Sequence, residues 1–366
     1  MAATRTRLRG LSLAAMAGLV SLLVSSPAAA GGASPPVVTV VASGMNSPRG
    51  LEIVGRGAFL VAEAGKGGSG PCGEGPEGEV CVGQSGAITH VLSGVPHPLV
   101  DLPSLAPPDG SAALGPHDVG MGSDGALYAT VGLAGSPESR EQFGRRGTLL
   151  GHLVRATGSG GVEDVADLAA YEARRNPDGG AVDSNPYGLL RLRGRSVVTD
   201  AGGNSLLRIT DEGRIRTLAV FPDRIIDFGG EDFPLQAVPT SVVRGPDGAF
   251  YVSQLTGFPF PEGAARVFRV IPGERPEVYA RGFTNIIDIA FDARGNLYVL
   301  EIAHNSLASA EPFGALSRMS PTGETTVLLD EGLVFPTSVA LAGRHELFVT
   351  NCGVCPGGGQ LLKVEL

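Results

Sequence analysis

The chain has 366 residues, 43% of them hydrophobic, and a formal charge of −9. It carries no lysine- or arginine-rich run with interleaved aromatics, which excludes the basic stripe that nucleic-acid binding requires. With 55 glycines, 27 prolines and no tryptophan, the composition fits many short strands joined by tight turns and argues against long helices.

In chain order, the first element is an export signal. Arg5, Arg7 and Arg9 precede an apolar run from Leu11 to Val24, and Ala28-Ala29-Ala30 follows, which predicts cleavage near Ala30. The run is shorter than the ~20 residues a spanning helix needs. Residues 1–30 are therefore set aside, and cleavage would take the charge from −9 to −12 by removing three arginines. The mature product, residues 31–366, is expected to be a monomeric single domain in the extracellular or cell-wall space, with no membrane attachment.

From Pro48 onward one pattern recurs six times: a proline or its substitute, an apolar strand, a glycine turn, and a second apolar strand ending in a polar residue. Pro48, Pro116, Pro239 and Pro336 lie twelve residues before Leu60, Tyr128, Tyr251 and Phe348, and Ile286 stands twelve before Tyr298. Pro186 starts a copy one residue shorter, reaching Val197. Asp124-Gly125, Asp247-Gly248 and Arg294-Gly295-Asn296 close the hairpins between the two strands, so these acids read as turn formers. Third strands follow, with His90 at the position where other copies place Arg208, Arg269, Arg318 and Lys363. The copies predict an all-β, six-bladed β-propeller of four-stranded blades, starting near residues 48, 116, 186, 239, 286 and 336. The glycine and apolar pair Gly44-Met45 matches the end of a fourth strand, so residues 37–42 are expected to complete the last blade.

Two insertions interrupt the repeat. Residues 65–85 are glycine-rich and hold Cys72 and Cys81. Residues 133–183 hold a third-strand candidate at Thr148 to Val154, then Val162, Val165, Leu168, Ala169 and Glu172 at helical spacing, which predicts a helix over 162–175 stopped by Asn176-Pro177-Asp178-Gly179-Gly180. Cys352 and Cys355 form a second local pair. In an exported chain two local disulfides are the default. Because both pairs follow a second strand in neighbouring blades, a crossed pairing and a four-cysteine zinc site remain as alternatives.

The stretches Ser47-Pro48-Arg49-Gly50-Leu51, Val61-Ala62-Glu63-Ala64-Gly65, Asp167-Leu168-Ala169-Ala170-Tyr171-Glu172, Asn176-Pro177-Asp178-Gly179-Gly180, Asp183-Ser184-Asn185-Pro186-Tyr187-Gly188 and Thr199-Asp200-Ala201-Gly202-Gly203-Asn204 resemble those of the ScyD/ScyE family. The resemblance spans nearly the whole mature chain. It implies an exported six-bladed propeller of the NHL/TolB-like type, and it implies no particular activity.

In such a ring the starts of the first strands and the ends of the second strands converge at the mouth of a central channel. The blade starts bring Arg49, His117, Asp118, Asn185, Tyr187, Thr240, Ser241, Thr337 and Ser338 there, of which Arg49, Asn185, Tyr187, Thr240 and Thr337 form a ligand-binding rim with Gln254 and Asn351 from the second-strand ends. Glu63, Asp200 and Glu301 also end second strands, and these carboxylates supply the hard oxygen ligands that Ca²⁺ favours. The alternative is that these side chains bond to backbone groups or channel water. His117 is the candidate general base, and Asp118, adjacent on a strand, is expected to point to the opposite face. No Gly-x-Ser-x-Gly nucleophile elbow occurs. Two functions follow: a binding module for a small molecule, a cell-wall component or an extracellular protein, or a calcium-dependent enzyme of lactonase, lyase or oxidative-coupling type acting on an aromatic or cyclic metabolite.

Overall fold

Each copy of the repeat forms the body of one antiparallel sheet. The structure, a computed structural model, describes residues 35–76, 78–157 and 160–366. The expected signal segment, residues 1–30, lies outside the described residues. Pro35–Leu366 form one compact unit, and among the described residues no helix is long and apolar enough to cross a membrane.

Blade 1 runs outward from Pro48–Gly55 through Ala58–Glu63 and Gly78–Leu92 to Val95–Ala106. Blade 2 uses Pro116–Met121, Leu127–Val131, His152–Ala156 and Val162–Asp167. Blade 3 uses Pro186–Leu192, Arg195–Asp200, Ser205–Thr210 and Ile215–Val220. Blade 4 comprises Pro239–Arg244, Phe250–Gln254, Ala265–Val270 and Glu277–Phe283, and blade 5 Ile286–Phe291, Leu297–Glu301, Ala315–Met319 and Thr325–Leu329. Blade 6 takes three strands from the end of the chain, Ser338–Leu341, Glu346–Asn351 and Gly359–Glu365, and its fourth from Val37–Met45. The closing strand pairs Val38 with Val364 and Val40 with Leu362, and runs past the expected end at residue 42 to Met45. First strands of successive blades pack side by side, and that of blade 6 packs on that of blade 1, so the six sheets form a ring.

The hydrophobic core lies between the blades. Leu60, Ala62 and Ile88 of blade 1 pack with Val119, Ala129 and Val154 of blade 2, and Phe59 meets Phe348 across the blade 1–6 junction at 4.5 Å. The repeat position that gives Tyr128, Tyr251 and Tyr298 buries each ring near the start of a second strand. Arg191 of blade 3 stacks 3.6 Å above the Tyr128 ring, a cation–π contact between neighbouring blades.

Two expectations for the larger insertion are corrected. Val162–Asp167 is not helical but the fourth strand of blade 2, pairing Val162 with Ala156 and Asp167 with His152. The helix, α1, covers only Leu168–Arg175; the Asp167 side chain accepts a hydrogen bond from Ala170 N and starts it. The third strand begins at His152 rather than Thr148, because a 3₁₀ stretch over Pro137–Gly147 and a turn at Gly151 with positive φ occupy the residues before it. In the smaller insertion Cys72–Gly75 folds back on the start of Gly78–Leu92 as a hairpin. The cysteines pair locally, Cys72 with Cys81 and Cys352 with Cys355, so neither the crossed pairing nor the zinc site is formed.

Candidate functional site

Strand direction alternates within a blade, so the turns after strands one and three fall on one face of the ring and the connections after strands two and four on the other. Among the described residues the first face carries short turns such as Asp124-Gly125 and Asp247-Gly248. All long connections lie on the second face, including both insertions and a separate hairpin, Arg224–Phe228 with Glu231–Leu235, between blades 3 and 4. The blade starts and the second-strand ends meet on this long-loop face.

The second-strand ends arrive there as predicted, pairing Glu63 with Pro48, Asp200 with Pro186, Gln254 with Pro239 and Glu301 with Ile286. Each is buried, and most act within their own blade. Glu63 accepts from Asn46 N, Glu301 from Thr284 N, and Asn351 Oδ1 from Val334 N, in each case the residue 17 positions earlier. Asp200 accepts from Ser184 Oγ and Asn185 N, both at 2.7 Å, and from Gly203 N at 3.2 Å. The polar end of the second strand thus clasps the chain entering the same blade. Glu63 and Glu301 take second partners in Thr89 Oγ1 and His304 Nδ1. Burial raises the pKa of all three acids, Asp200 to about 6. Their carboxylates do not gather with one another: among the described residues the one group of three or more metal-ligating side chains within 4.8 Å is Cys72, Glu79 and Cys81, whose cysteines form a disulfide. Gln254 differs from the other four, because its buried Oε1 has no partner.

The first strands line the channel itself, and here the alternation expected from sequence fails. The ladder between first and second strands slips between Pro116 and Asp118, Pro239 and Val242, and Ile286 and Asp288, with similar slips in blades 1 and 3. Such bulges turn consecutive side chains toward the same side. Asp118, expected opposite His117, therefore borders the same cavity, together with Tyr187, Thr240, Thr337 and Asp288. Asp288 was not singled out from the sequence, although it occupies in blade 5 the repeat position that Asp118 holds in blade 2 and interrupts an apolar strand.

This cavity measures about 10 Å³, room for about one water. Around it, hydrogen bonds tie each first strand to its neighbour. Thr240 Oγ1 donates to Ile286 O at 2.9 Å, Thr337 Oγ1 to Pro48 O and Thr350 Oγ1 to Arg49 O at 2.7 Å, and Thr130 Oγ1 to Tyr187 O at 2.6 Å, each crossing to the next blade. Asp118 accepts from Leu189 N at 2.7 Å and Asp288 from Val339 N at 2.8 Å in the same way. Ser241 and Ser338 also donate to Asp288. Burial pushes the Asp118 carboxyl well up, reinforced by the charge of Asp288, and raises Asp288 likewise. His117 Nδ1 lies 3.0 Å from Pro186 O and the ring packs on Tyr187 at 4.6 Å. Burial, with the nearby Arg49 charge, lowers its pKa to about 3, so the imidazole is neutral. Arg49 donates to Ala113 O at 3.1 Å, and Asn185 Oδ1 accepts from Leu133 N.

Three comparisons bear on this geometry. No family model and no curated protein matches the sequence. Solved structures do. A Bacteroides thetaiotaomicron protein of unknown function aligns with a TM-score of 0.55 at 8% identity over 90% of this chain and 76% of its own. A glucose dehydrogenase aligns at 0.54, with 14% identity over 90% and 99%. Regucalcin from Agrobacterium tumefaciens, a calcium-binding protein, aligns at 0.53, with 14% identity over 90% and 95%. The likeness places the chain among six-bladed β-propellers. At these identities it speaks for the fold alone.

Proposed function

We propose that this protein is an exported propeller of the ScyD/ScyE type that works as a binding module, meeting a cell-wall polymer or an extracellular protein with its long-loop face. The observation that carries this reading is the narrow channel: the cavity that His117, Asp118 and Asp288 border measures about 10 Å³, room for about one water and too small for an organic substrate. The enzymatic alternative has less support, since His117 is buried and neutral and Glu63, Asp200 and Glu301 are each clasped inside separate blades. Two disulfides fit an oxidising compartment.

The long-loop face also carries exposed aromatic surface. On the hairpin between blades 3 and 4 Phe228 is 44% exposed, and Phe258 from the next blade's loop is 55% exposed, with the two rings 5.5 Å apart and Phe233 beside both. Arg224 of the hairpin donates to Ala264 O at 2.7 Å and holds the two segments together. Flat, exposed rings of this kind suit sugar faces and apolar side chains alike. The test is co-sedimentation with isolated cell walls, comparing the wild type with the double variant Phe228→Ser/Phe258→Ser and scanning a lactone and ester panel in parallel. Retention that drops at least tenfold in the double variant, without turnover, is the expected result. Hydrolysis that disappears in His117→Ala would replace the binding module with the enzyme.

A further inference from the structure

The insertion between blades 2 and 3 gathers acidic groups without a cation. Glu172 lies in the middle of α1, Asp178 and Asp183 in the loop that follows, and no ion pair involves any of them among the described residues. Three oxygens in this segment are buried and have no hydrogen-bond partner: Glu172 Oε1, Asn176 Oδ1 and Asp183 Oδ1. The Glu172 residue is only 1% exposed. Leaving a buried acceptor without a donor costs on the order of the group's full desolvation penalty, and an ionised one costs more.

Glu172 and Asp183 face one turn from two directions. A Cβ on Gly203 would stand 2.7 Å from Glu172 Oε2, and one on Gly202 would stand 2.8 Å from Asp183 Oδ1, so two consecutive glycines leave the space into which both carboxylates reach. The Asp183 main-chain carbonyl borders the same glycine. Asp178 is fixed beside them, with Oδ1 accepting from Gly180 N and Oδ2 from Asn204 Nδ2, both at 2.9 Å. Asp200 already accepts three hydrogen bonds that shape the turn, which leaves it a supporting role. Carboxylate and main-chain oxygens with no nitrogen or sulfur donor are the ligand chemistry of a hard divalent cation, and an irregular loop accommodates the flexible coordination of calcium better than the strict octahedron of magnesium.

We propose that Glu172 and Asp183, with Asp178 at the edge, bind one calcium ion that fastens the insertion helix to the Gly202-Gly203 turn of blade 3. This site is separate from the channel and from the second-strand carboxylates, and it is independent of the binding-module reading. Because no three carboxylates of the cluster lie within 4.8 Å of one another, the coordination sphere draws on main-chain and water oxygens for the remainder.

Calorimetric titration of the purified protein with CaCl₂ tests it. The expected result is one ion per chain and a melting temperature higher in calcium than in EGTA, with affinity reduced at least tenfold in Glu172→Gln and in Asp183→Asn and unchanged in Glu301→Gln. Hydrogen exchange of the wild type, which needs no variant to fold, should show calcium protecting residues 168–185 and the 200–204 turn. No calcium uptake by the wild type, wild-type affinity in both variants, or protection confined to other segments would each overturn the proposal.

Discussion

The first strands of blades 1 and 2 approach each other closely at Gly50. A Cβ there would lie 2.6 Å from the Asp118 Cα, a backbone atom that cannot swing away. Gly50→Ala is therefore expected to cost roughly 1–3 kcal/mol through overpacking, read as a lower urea midpoint. Gly55→Ala, whose Cβ would meet only the Ala58 Cβ at 3.7 Å, should stay near the wild type. Equal effects would mean that the first strands of blades 1 and 2 do not approach so closely. Glu172 supports a second prediction at this scale. Burial, with the charges of Asp200, Asp178 and Asp183, pushes its carboxyl up to about 8. The unfolded chain releases that proton near 4.5 while the folded chain keeps it, so the unfolded state binds fewer protons and stability falls as pH rises between these values. His117, lowered to about 3, acts oppositely, but only below its ordinary value of 6.5. Asp200, at about 6, has largely titrated by then. From pH 6.5 to 8 in EGTA, the unfolding constant should thus grow with pH in the wild type by up to about tenfold per pH unit more than in Glu172→Gln, where the other buried acids contribute equally. Parallel urea curves for the two proteins across that range would remove Glu172 as the cause.

Among the elements, those whose signal is local were legible in the sequence. The prolines, the twelve-residue spacing and the Asp-Gly turns mark where strands begin and reverse, and each marker acts within a few residues of itself. Cysteines nine and three residues apart paired as proximity suggests. Elements decided by a distant partner were not legible. Val162 and Val165 are spaced for a helix, but His152–Ala156 offers an open edge and draws Val162–Asp167 into the sheet. The same cause misplaced Asp118 and hid Asp288: a bulge is a property of the ladder between two strands, and periodicity along one strand does not reveal it. In the candidate site the polar ends of the second strands could be enumerated from the repeat, while their engagement with Asn46, Thr284 and Val334 depended on where the entering segment lies. The stretch Asn176 to Gly180 reads in sequence as a helix stop, while the approach of Glu172 before it and Asp183 after it to Gly202 and Gly203 emerges only when blade 3 is placed beside it.

For the whole molecule, the decisive contact joins the two ends of the ring. Val37–Met45 pairs with Gly359–Glu365, and Ala42 and Met45 are buried against Leu361, Phe348 and Val91. Without this strand, blade 6 would present Gly359–Glu365 as a bare edge, with unpaired backbone groups and the adjoining apolar surface uncovered. Deleting residues 35–45 from the mature protein is expected to cost on the order of 3–5 kcal/mol, seen as a lower urea midpoint together with concentration-dependent association in light scattering. The strand acts by pairing, not by its place in the sequence. A permuted chain that carries residues 37–45 after Leu366 through a short linker should therefore recover the midpoint and stay monodisperse. Recovery fits closure by the strand ladder; a permuted chain as unstable as the deletion would instead mean that the covalent run from Met45 into Pro48, where Ser47 N donates to Cys355 O and Glu63 accepts from Asn46 N, is what holds blades 1 and 6 together.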